Sequence, residues 1–237
     1  EDTGVNVLYQ VPAPLVSLMR TLRGDIPVFA NGDDLPEFDR HCPVMSLPHA
    51  LGTEIDTIPA DVPYLYADAE LRAAWQKRLG PRTKPRIGLA WSGNPKHSND
   101  AARSMTLATL APLFDLPFEF HAVQKDLRDA DREIAGNFAN FCHHGEELET
   151  FAETAALISE MDLVISVDTS VAHLTGALAK PLWLMLTHVS EWRWFRERND
   201  SPWYPTARLY RQETRDDWNA LVMEIAAALA SRFSGTL

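Results

Sequence analysis

The chain has 237 residues, of which 46% are hydrophobic and 23% charged, and this composition excludes a disordered tail and a disulfide-stapled miniprotein. Its length suits one large α/β domain or two domains of ordinary size. With 33 acidic and 22 basic residues the formal net charge is -11, which disfavours binding to nucleic acid or an anionic membrane by overall charge. Any anionic ligand must therefore be held by a local site.

The two cysteines, Cys42 and Cys142, form neither a CxxC pair nor a disulfide framework. Such usage is typical of a reducing compartment, so we expect a cytoplasmic protein. No apolar run approaches the roughly 20 residues that span a bilayer, and the N-terminus lacks a basic flank followed by an apolar segment. We expect neither a membrane span nor a signal peptide.

The first 85 residues predict short alternating strands and helices. The predicted strands are 5–11, 26–30 and 64–66, and the predicted helices run from Pro12 to Gly24 and from Asp68, a plausible N-cap, to Leu79. Residues 80–85 mix Gly, Pro and charge, which is typical of an interdomain linker. We therefore expect one domain at 1–85 and a second at 86–237.

In residues 86–237 the alternation of predicted strands and helices is clearer. Its predicted strands are 87–91, 118–123, 138–142, 163–167, 182–186 and 207–210, and its predicted helices are 107–114, 148–160, 170–179 and 218–233. Strands that alternate with helices indicate a parallel sheet covered by helices. Because such sheets bind ligands at the carboxyl ends of their strands, the loops after these strands are where chemistry is expected.

The loop after the first of these strands combines small and basic residues. Ser92 and Gly93 would let backbone N–H groups approach an anion, and Lys96, His97 and Arg103 could supply positive charge. The segment contains neither a Walker motif nor GxGxxG. It is either a phosphate-binding loop or a polar surface loop with incidental basic residues.

Gln124 and Lys125 follow the next strand directly. A solvated lysine at a strand end is the simpler interpretation, although the position at a carboxyl edge is one where ligands bind.

The turn after the strand at 163–167 is the third candidate. Asp168, Thr169 and Ser170 lead into a helix whose N-terminus, with its free N–H groups and positive dipole end, is suited to a phosphate. His173 lies on the first turn of that helix. The alternative is a core histidine whose hydrogen bonds are all made within the protein, but the neighbouring polar residues favour a histidine that faces a ligand.

Aromatic residues concentrate after the strand at 182–186. Trp192, Trp194, Trp203 and Tyr204 alternate with charged residues there, so the loop is not simply core. The rings could stack on a sugar or base, or could pack an interface between two domains.

Motifs of metal-dependent and serine hydrolase chemistry are absent. The chain has no HExxH, no DxD where a metal-dependent sugar transferase needs it, and no GxSxG. We expect no metal and no cofactor.

The segment from Val164 to Pro181, V-I-S-V-D-T-S-x-A-H-L-x-G-A-L-x-K-P, is similar to the donor-site signature V-D-T-G-x-x-H-L-x-x-A-L-x-x-P of the ADP-heptose:lipopolysaccharide heptosyltransferases, glycosyltransferase family nine. The whole chain resembles the glycosyltransferase domain that follows tetratricopeptide repeats in many bacterial proteins. The supporting strings are 41–48, 51–53, 57–60, 91–95 with 103–104, 124–125, 191–194 and 200–205.

This resemblance implies the GT-B architecture, which is α/β with two facing Rossmann-like domains and the nucleotide sugar in the C-terminal one. It implies a glycosyl transfer from a nucleotide diphosphate to an acceptor hydroxyl. The donor-binding residues it implies are Trp91, Ser92, Gly93, Asn94, Arg103, Gln124, Lys125, Asp168, Thr169, Ser170 and His173. His173 would also take part in catalysis, and Trp192 and Trp194 would stack on the sugar or acceptor.

Two positions depart from the family pattern. Ser170 replaces the Gly of heptosyltransferases, which puts ADP-heptose itself in doubt. At the front, Asp2 and Thr3 match the end of a Gly-Asp-Thr-Leu-like turn whose Asp is the proposed general base, so Asp2 is a candidate base. The alternative is an untethered terminal acid. We expect the family's opening strand to lie outside this chain and the N-terminal domain to be incomplete.

The leading hypothesis is a metal-independent glycosyltransferase that acts on a protein and is delivered by upstream tetratricopeptide repeats. The alternatives are a lipopolysaccharide transferase with a lipid-linked glycan acceptor, and a non-catalytic module that uses the tryptophan-rich loop to bind a partner or glycan.

Overall fold

The computed structural model describes residues 4–22 and 24–235. Within them the strands are β1 (Tyr9–Val11), β2 (Val28–Ala30), β3 (Arg86–Ala90), β4 (Glu119–Ala122), β5 (Phe141–His143), β6 (Leu163–Val167), β7 (Leu182–Leu186) and β8 (Ala207–Arg211). The helices are α1 (Val16–Met19), α2 (Leu47–Ala50), α3 (Ala69–Leu79), α4 (Asp100–Arg103), α5 (Ala111–Phe114), α6 (Asp129–Ala135), α7 (Phe151–Ser159), α8 (Ser170–Ala177) and α9 (Trp218–Arg232).

Strands β3 to β8 form a six-stranded sheet in the order β5-β4-β3-β6-β7-β8, and every pair of neighbours is parallel. All residues of β3, β6 and β7 are buried, because helices cover both faces of the sheet. One apolar cluster includes Trp75 of α3, Leu157 of α7 and Leu174 of α8. The other includes Leu113 of α5 and Ile225 of α9.

The strand order gives this sheet a defined ligand-binding position. Chain order runs outward from β3 to β4 and β5, and then returns to the other side of β3 for β6, β7 and β8. This is the order of Rossmann-like sheets, whose ligands bind outside the carboxyl ends of the strands where the direction reverses. The loops after β3 and β6 therefore flank the switch point.

The N-terminal segment, residues 4–67, contains a second parallel sheet of only two strands, β1 and β2. Helix α1 packs against α7 through Leu18, which is buried. Helix α3 then begins where the sequence predicted: the Asp68 carboxylate accepts hydrogen bonds from the N–H groups of Glu70 and Leu71, both at 2.9 Å.

The predicted α/β class with parallel sheets is confirmed. The strand predicted at 64–66 is wrong: the N–H groups of Tyr64 and Leu65 both donate to the carbonyl of Ala177, at 3.1 and 3.3 Å, instead of to a neighbouring strand. Helices α4 and α6 were not predicted, because they are short and polar and lack an apolar period. The division into domains at residues 85 and 86 stays a prediction.

Among the residues that the structure describes, no helix combines the length and the apolar character needed to cross a membrane.

Candidate functional site

A cavity of about 490 Å³ opens at the carboxyl edge of the six-stranded sheet, beside the switch point. Its walls come from the loop after β3, the turn between β6 and α8, the loop after β7 and one residue of the N-terminal segment. The lining residues are Met45, His97, Asn99, Arg103, Asp168, Thr169, Ser170, His173, Met185, Leu186, Thr187, Ser190, Glu191 and Arg193.

Arg103, the last residue of α4, reaches across the switch point. Its Nη1 donates a hydrogen bond of 3.0 Å to the backbone carbonyl of Asp168, which joins the loop after β3 to the loop after β6. Its side chain is 18% exposed, and its Nε has no hydrogen-bond partner within the described ranges. Gly93 makes room for the guanidinium, since a Cβ there would lie 2.6 Å from Nη2. This Nε is buried and lies 3.9 Å from Asp100 Oδ1, but the guanidinium as a whole lines the cavity, and a largely buried guanidinium is suited to an anion.

Polar contacts fix the helix that carries Arg103. The Ser104 hydroxyl accepts a hydrogen bond from the N–H of Gly93 at 3.0 Å and donates one to Asp100 Oδ1 at 2.7 Å. Arg128 Nη2 pairs with the other oxygen of Asp100 at 2.5 Å. Asp100 is buried, so this ion pair and hydrogen bond satisfy a carboxylate that would otherwise be costly to bury.

Gln124 fastens the start of the same loop. Its Oε1 accepts hydrogen bonds from the N–H groups of Trp91 and Ser92 at 2.8 and 3.1 Å. Its Nε2 donates to the Ser92 hydroxyl at 3.1 Å and to the Asp126 carbonyl at 2.8 Å. The amide is therefore occupied by the protein itself, and Gln124 positions the loop after β3.

The N-terminus of α8 forms another wall of the cavity through Thr169 and Ser170. Thr169 stands at the N-cap position, but its side chain makes no capping hydrogen bond, and its hydroxyl lies 3.3 Å from that of Ser166. The N–H groups of Ala172 and His173 donate to the Thr169 carbonyl at 3.1 and 3.4 Å, so those of Ser170 and Val171 are the ones left for a ligand, and the positive end of the helix dipole lies at the cavity wall.

His173 is held on the next part of α8 by three neighbours. Its Nδ1 lies 3.0 Å from the hydroxyl of Tyr204, its ring stacks on Trp194 with centroids 5.3 Å apart, and its Nε2 lies 3.9 Å from Asp168 Oδ1. Burial lowers the pKa of His173 below its ordinary value, although the Asp168 carboxylate acts in the opposite direction. The ring is therefore neutral near pH 7 and faces the cavity.

Tyr204 is the support that sets the position of His173. A Cβ on Gly176, one turn along α8, would overlap the Tyr204 ring, so only glycine leaves room for it. Burial raises the pKa of the Tyr204 phenol, which keeps the hydroxyl protonated, and this hydroxyl also hydrogen-bonds to Tyr64 of the N-terminal segment. A chain of polar contacts thus runs from Tyr64 to Asp168.

Arg193 and Met45 form the outer wall. Arg193 Nη1 pairs with Glu191 at 2.8 Å, its guanidinium lies over the ring of Trp192 at 4.8 Å, and its Nη2 lies 3.2 Å from the sulfur of Met45. Met45 comes from the N-terminal segment and Arg193 from the loop after β7. Positive charge from Arg193 therefore faces Arg103 across the cavity.

The structure places Arg103, Asp168, Thr169, Ser170 and His173 at one cavity, and their role in donor binding stays a prediction. The other predicted residues do not line this cavity, and they are Trp91, Ser92, Gly93, Asn94, Gln124, Lys125, Trp192 and Trp194. Asp2 lies outside the described residues.

Two of these side chains are unavailable for a physical reason. Trp91 is fully buried and its indole N–H donates to Asp131 at 2.8 Å. Trp194 is 1% exposed and supports His173, so it cannot stack on a sugar. Trp192 is 56% exposed and stays available, beside the cavity.

Sequence reasoning missed part of the lining. Thr187 and Ser190 follow the carboxyl end of β7. Because parallel sheets bind ligands at the carboxyl ends of their strands, the position of these two residues in the sequence was a usable signal for a binding site. Arg193 lies between Trp192 and Trp194 in the sequence, and this segment was interpreted as a stacking surface for a sugar, so the charge of Arg193 was not considered. Met45 carries no local signal, because only the tertiary fold brings the N-terminal segment to the cavity.

Comparison with known proteins found similarity over parts of this chain. Residues 120–194, from β4 to Trp194, match the family described as glycosyltransferase family 9 (heptosyltransferase). Over 213 residues the chain is 24% identical to Protein FlbA of Caulobacter vibrioides, an alignment that covers 86% of this chain and 34% of FlbA. The chain thus spans about a third of the length of that relative.

Two solved structures are similar at low sequence identity. The E. coli ADP-heptose lps heptosyltransferase II is 15% identical with a TM-score of 0.49, over 75% of this chain and 57% of that one. The family 9 glycosyl transferase from Veillonella parvula is 16% identical with a TM-score of 0.49, over 90% of this chain and 57% of that one. The family match supports a heptosyltransferase-like glycosyltransferase domain that includes residues 120–194.

Proposed function

We propose that this chain transfers a glycosyl group from a nucleotide-diphosphate sugar to a hydroxyl of a protein acceptor, without a metal ion. The observation that carries the proposal is that Arg103, the N-terminus of α8 and His173 all line one cavity at the switch point of the sheet. The family 9 match covers the segment that supplies His173 and the start of α8.

The cavity offers positive charge for a leaving diphosphate. Arg103 and Arg193 supply two guanidinium groups, and the N-terminus of α8 adds free N–H groups and the helix dipole. These groups are held in place before the ligand arrives, which is the condition under which such stabilisation is most effective. The carboxylates of Asp168 and Glu191 line the same cavity and balance the two arginines, so in a chain with a net charge of -11 a diphosphate depends on the placement of these cationic groups and the helix end.

His173 is suited to take the proton of the acceptor hydroxyl. Its ring starts neutral, because burial lowers its pKa, and so it can accept a proton. As the hydroxyl oxygen bonds to the sugar carbon, the bond from that carbon to the diphosphate breaks and the proton moves to His173. The imidazolium then lies beside Asp168, whose carboxylate stabilises it. Asp2 remains a second candidate for this base.

Several wider features belong to the same proposal. The GT-B architecture and delivery by upstream tetratricopeptide repeats rest on the sequence resemblance, and the cytoplasmic location rests on the cysteine usage. Ser170 adds a side chain where heptosyltransferases carry Gly, so the donor sugar need not be heptose.

Nucleotide binding is the direct test. UDP, GDP, ADP and CMP are added in turn to the purified chain, and thermal unfolding is followed. A nucleotide at one hundred times its dissociation constant should stabilise the folded state by about 2.7 kcal/mol. Stabilisation by none of the four would contradict the proposal and favour a non-catalytic module that binds a partner or glycan.

Substitutions then locate the binding site. Arg103→Ala and His173→Ala should each raise the nucleotide dissociation constant or lower turnover at least about tenfold, which corresponds to about 1.4 kcal/mol. Arg215→Ala, at an exposed arginine outside the cavity, is the matched control and should leave both unchanged. Wild-type binding and turnover in both cavity variants would remove the site assignment. Transfer to a lipid-linked glycan but to no protein would favour the lipopolysaccharide alternative.

A further inference from the structure

Three potential metal ligands lie together near the β5 edge of the six-stranded sheet, and none of them lines the candidate cavity. His121 on β4 and Cys142 on β5 are register partners, and His144 follows two residues later. Side chains at paired positions of parallel strands share a face of the sheet, and so do residues two apart along a strand. The sheet register therefore places His121 beside two residues that lie more than 20 positions later in the sequence.

The distances between their donor atoms are short. His121 Nδ1 lies 3.1 Å from His144 Nε2, and the two imidazole rings are nearly parallel at 18°. Cys142 Sγ lies 3.9 Å from His144 Nδ1. One donor atom from each of the three residues can be chosen so that all lie within 4.8 Å of one another.

The burial of both histidines argues against an accidental cluster of surface side chains. His121 is 8% exposed and His144 is 2% exposed, whereas Cys142 faces solvent. Burial also lowers the pKa of each imidazole to about 4, so both rings are neutral near pH 7. His121 Nε2 is buried without a hydrogen-bond partner in the described part of the chain, and the carboxylate of Glu119 lies 3.9 Å from it.

These dimensions suit a small divalent cation. Zinc binds imidazole nitrogen at about 2.0–2.1 Å and thiolate sulfur at about 2.3 Å, so two bound nitrogens lie roughly 3–4 Å apart. The two imidazole nitrogens already satisfy this range at 3.1 Å. The sulfur must lie within about 4.4 Å of each bound nitrogen. Its 3.9 Å contact is with His144 Nδ1, so binding through His144 Nε2 requires a shift of the Cys142 or His144 side chain.

We propose that His121, Cys142 and His144 bind a thiophilic divalent cation, with Zn²⁺ as the probe. The cation takes two imidazole nitrogens and the thiolate, the thiol proton passes to solvent, and water occupies the fourth position on the exposed side. Glu119 would orient His121 through the N–H of the other ring nitrogen. The sequence lacked a metal motif because the three ligands follow the sheet register instead of a fixed spacing.

Such a site would join β5 to the body of the sheet. Strand β5 is short and lies at the edge, paired only with β4 in the sheet order. His144 also contacts Trp75 of α3 edge-on, with ring centroids 5.0 Å apart. A bound cation would therefore connect two strands directly and a helix through the His144 ring. This role is separate from the transfer reaction, because the cluster does not reach the cavity.

Cobalt titration provides the test. Tag-free chain under reducing conditions is titrated with Co²⁺, and thiolate-to-cobalt absorption and d–d bands are recorded, followed by displacement with Zn²⁺. We expect one ion per chain. Cys142→Ser should abolish the thiolate band, and His144→Gln should weaken cation binding at least about tenfold, or about 1.4 kcal/mol. Cys42→Ser and His49→Gln, at exposed residues of the N-terminal segment, are the matched controls and should leave the spectrum unchanged.

Two results would overturn the proposal: no stoichiometric cobalt binding by the wild-type chain, or a thiolate band that persists in Cys142→Ser. Because Cys142 is exposed, this variant tests the proposal even where His144→Gln fails to fold. Nucleotide binding should be unchanged in Cys142→Ser, so failure of the metal site and failure of the proposed transferase site are distinguishable.

Discussion

The six-stranded sheet and the N-terminal segment differ in how much of their apolar surface they bury. Every residue of β3, β6 and β7 is buried, whereas β1 and β2 each contribute one buried residue, Val11 and Val28. Large apolar side chains of the N-terminal segment face solvent, and these include Phe38, Val44, Met45, Leu51 and Ile55. The two regions therefore contribute unequally to stability.

The same contrast appears at the cavity. The six-stranded sheet supplies the groups with chemistry, Arg103, Asp168 and His173, through loops fastened by buried hydrogen bonds. The N-terminal segment contributes Met45 to the lining and Tyr64 to the support of Tyr204. We infer that the geometry of the cavity is set by the sheet, while the N-terminal segment completes one wall.

The largest expected effect is the loss of unfolding free energy on truncating a leucine of the six-stranded sheet, compared with truncating a leucine of the N-terminal segment. Leu184→Ala in β7 removes a fully buried side chain and should lower the free energy of unfolding by about 3–4 kcal/mol, because it leaves a cavity in the core. Leu47→Ala in α2, which is 39% exposed, should cost less than about 0.5 kcal/mol. Denaturant unfolding of both variants measures the difference. Similar losses in the two variants would contradict the unequal division of stability.

A smaller effect is expected at Gly176. Gly176→Ala places a methyl group against the Tyr204 ring, so the ring must move and its hydrogen bond to His173 should be lost. We expect a loss of about 1–3 kcal/mol in unfolding free energy, together with weaker nucleotide binding. Gly136→Ala, where a Cβ meets nothing within 4 Å, is the control and should be close to neutral. An unchanged Gly176→Ala variant would show that Tyr204 does not position His173.

The smallest expected effect is the pH dependence contributed by His173. The pKa of this ring is lower in the folded chain than its ordinary value near 6.5, so the unfolded chain binds the proton more readily. The free energy of unfolding should therefore fall as the pH drops below about 6.5, by well under the single-group maximum of about 1.4 kcal/mol per pH unit, because 36% of the side chain is exposed and solvent screens its charge. His173→Gln should show a shallower dependence between pH 7.5 and 5. If the unfolding free energies of the wild-type chain and of His173→Gln varied with pH in parallel, a neutral, partly buried His173 would be excluded.

Much of the sheet could be predicted from the sequence, because its strands are continuous apolar runs between turn signals. The bounds Leu163–Val167 and Leu182–Leu186 match the prediction, and the strand ends correctly located Asp168 and Ser170 near a ligand cavity. The start of α8 follows from the same pattern, since a buried strand leads directly into it.

Other features depended on contacts that no local pattern records. Trp91 and Trp194 were predicted to face a ligand, but each large ring instead fills space beside the loop that it supports. Gln124 was predicted to bind the donor, yet its amide oxygen accepts hydrogen bonds from the backbone of the neighbouring loop. The side-chain partners of these residues come from distant strands and helices, so sequence spacing alone could not assign them.

The contact between Met45 and Arg193 has a consequence for how this protein can diversify. Met45 is 66% exposed and belongs to a region that buries little surface, so exchanges at this rim should leave folding almost unaffected. Arg103 and Gly93, by contrast, constrain each other, because a Cβ at Gly93 would lie 2.6 Å from Arg103 Nη2. We therefore expect sequence drift to change the methionine side of the cavity more readily than the arginine side.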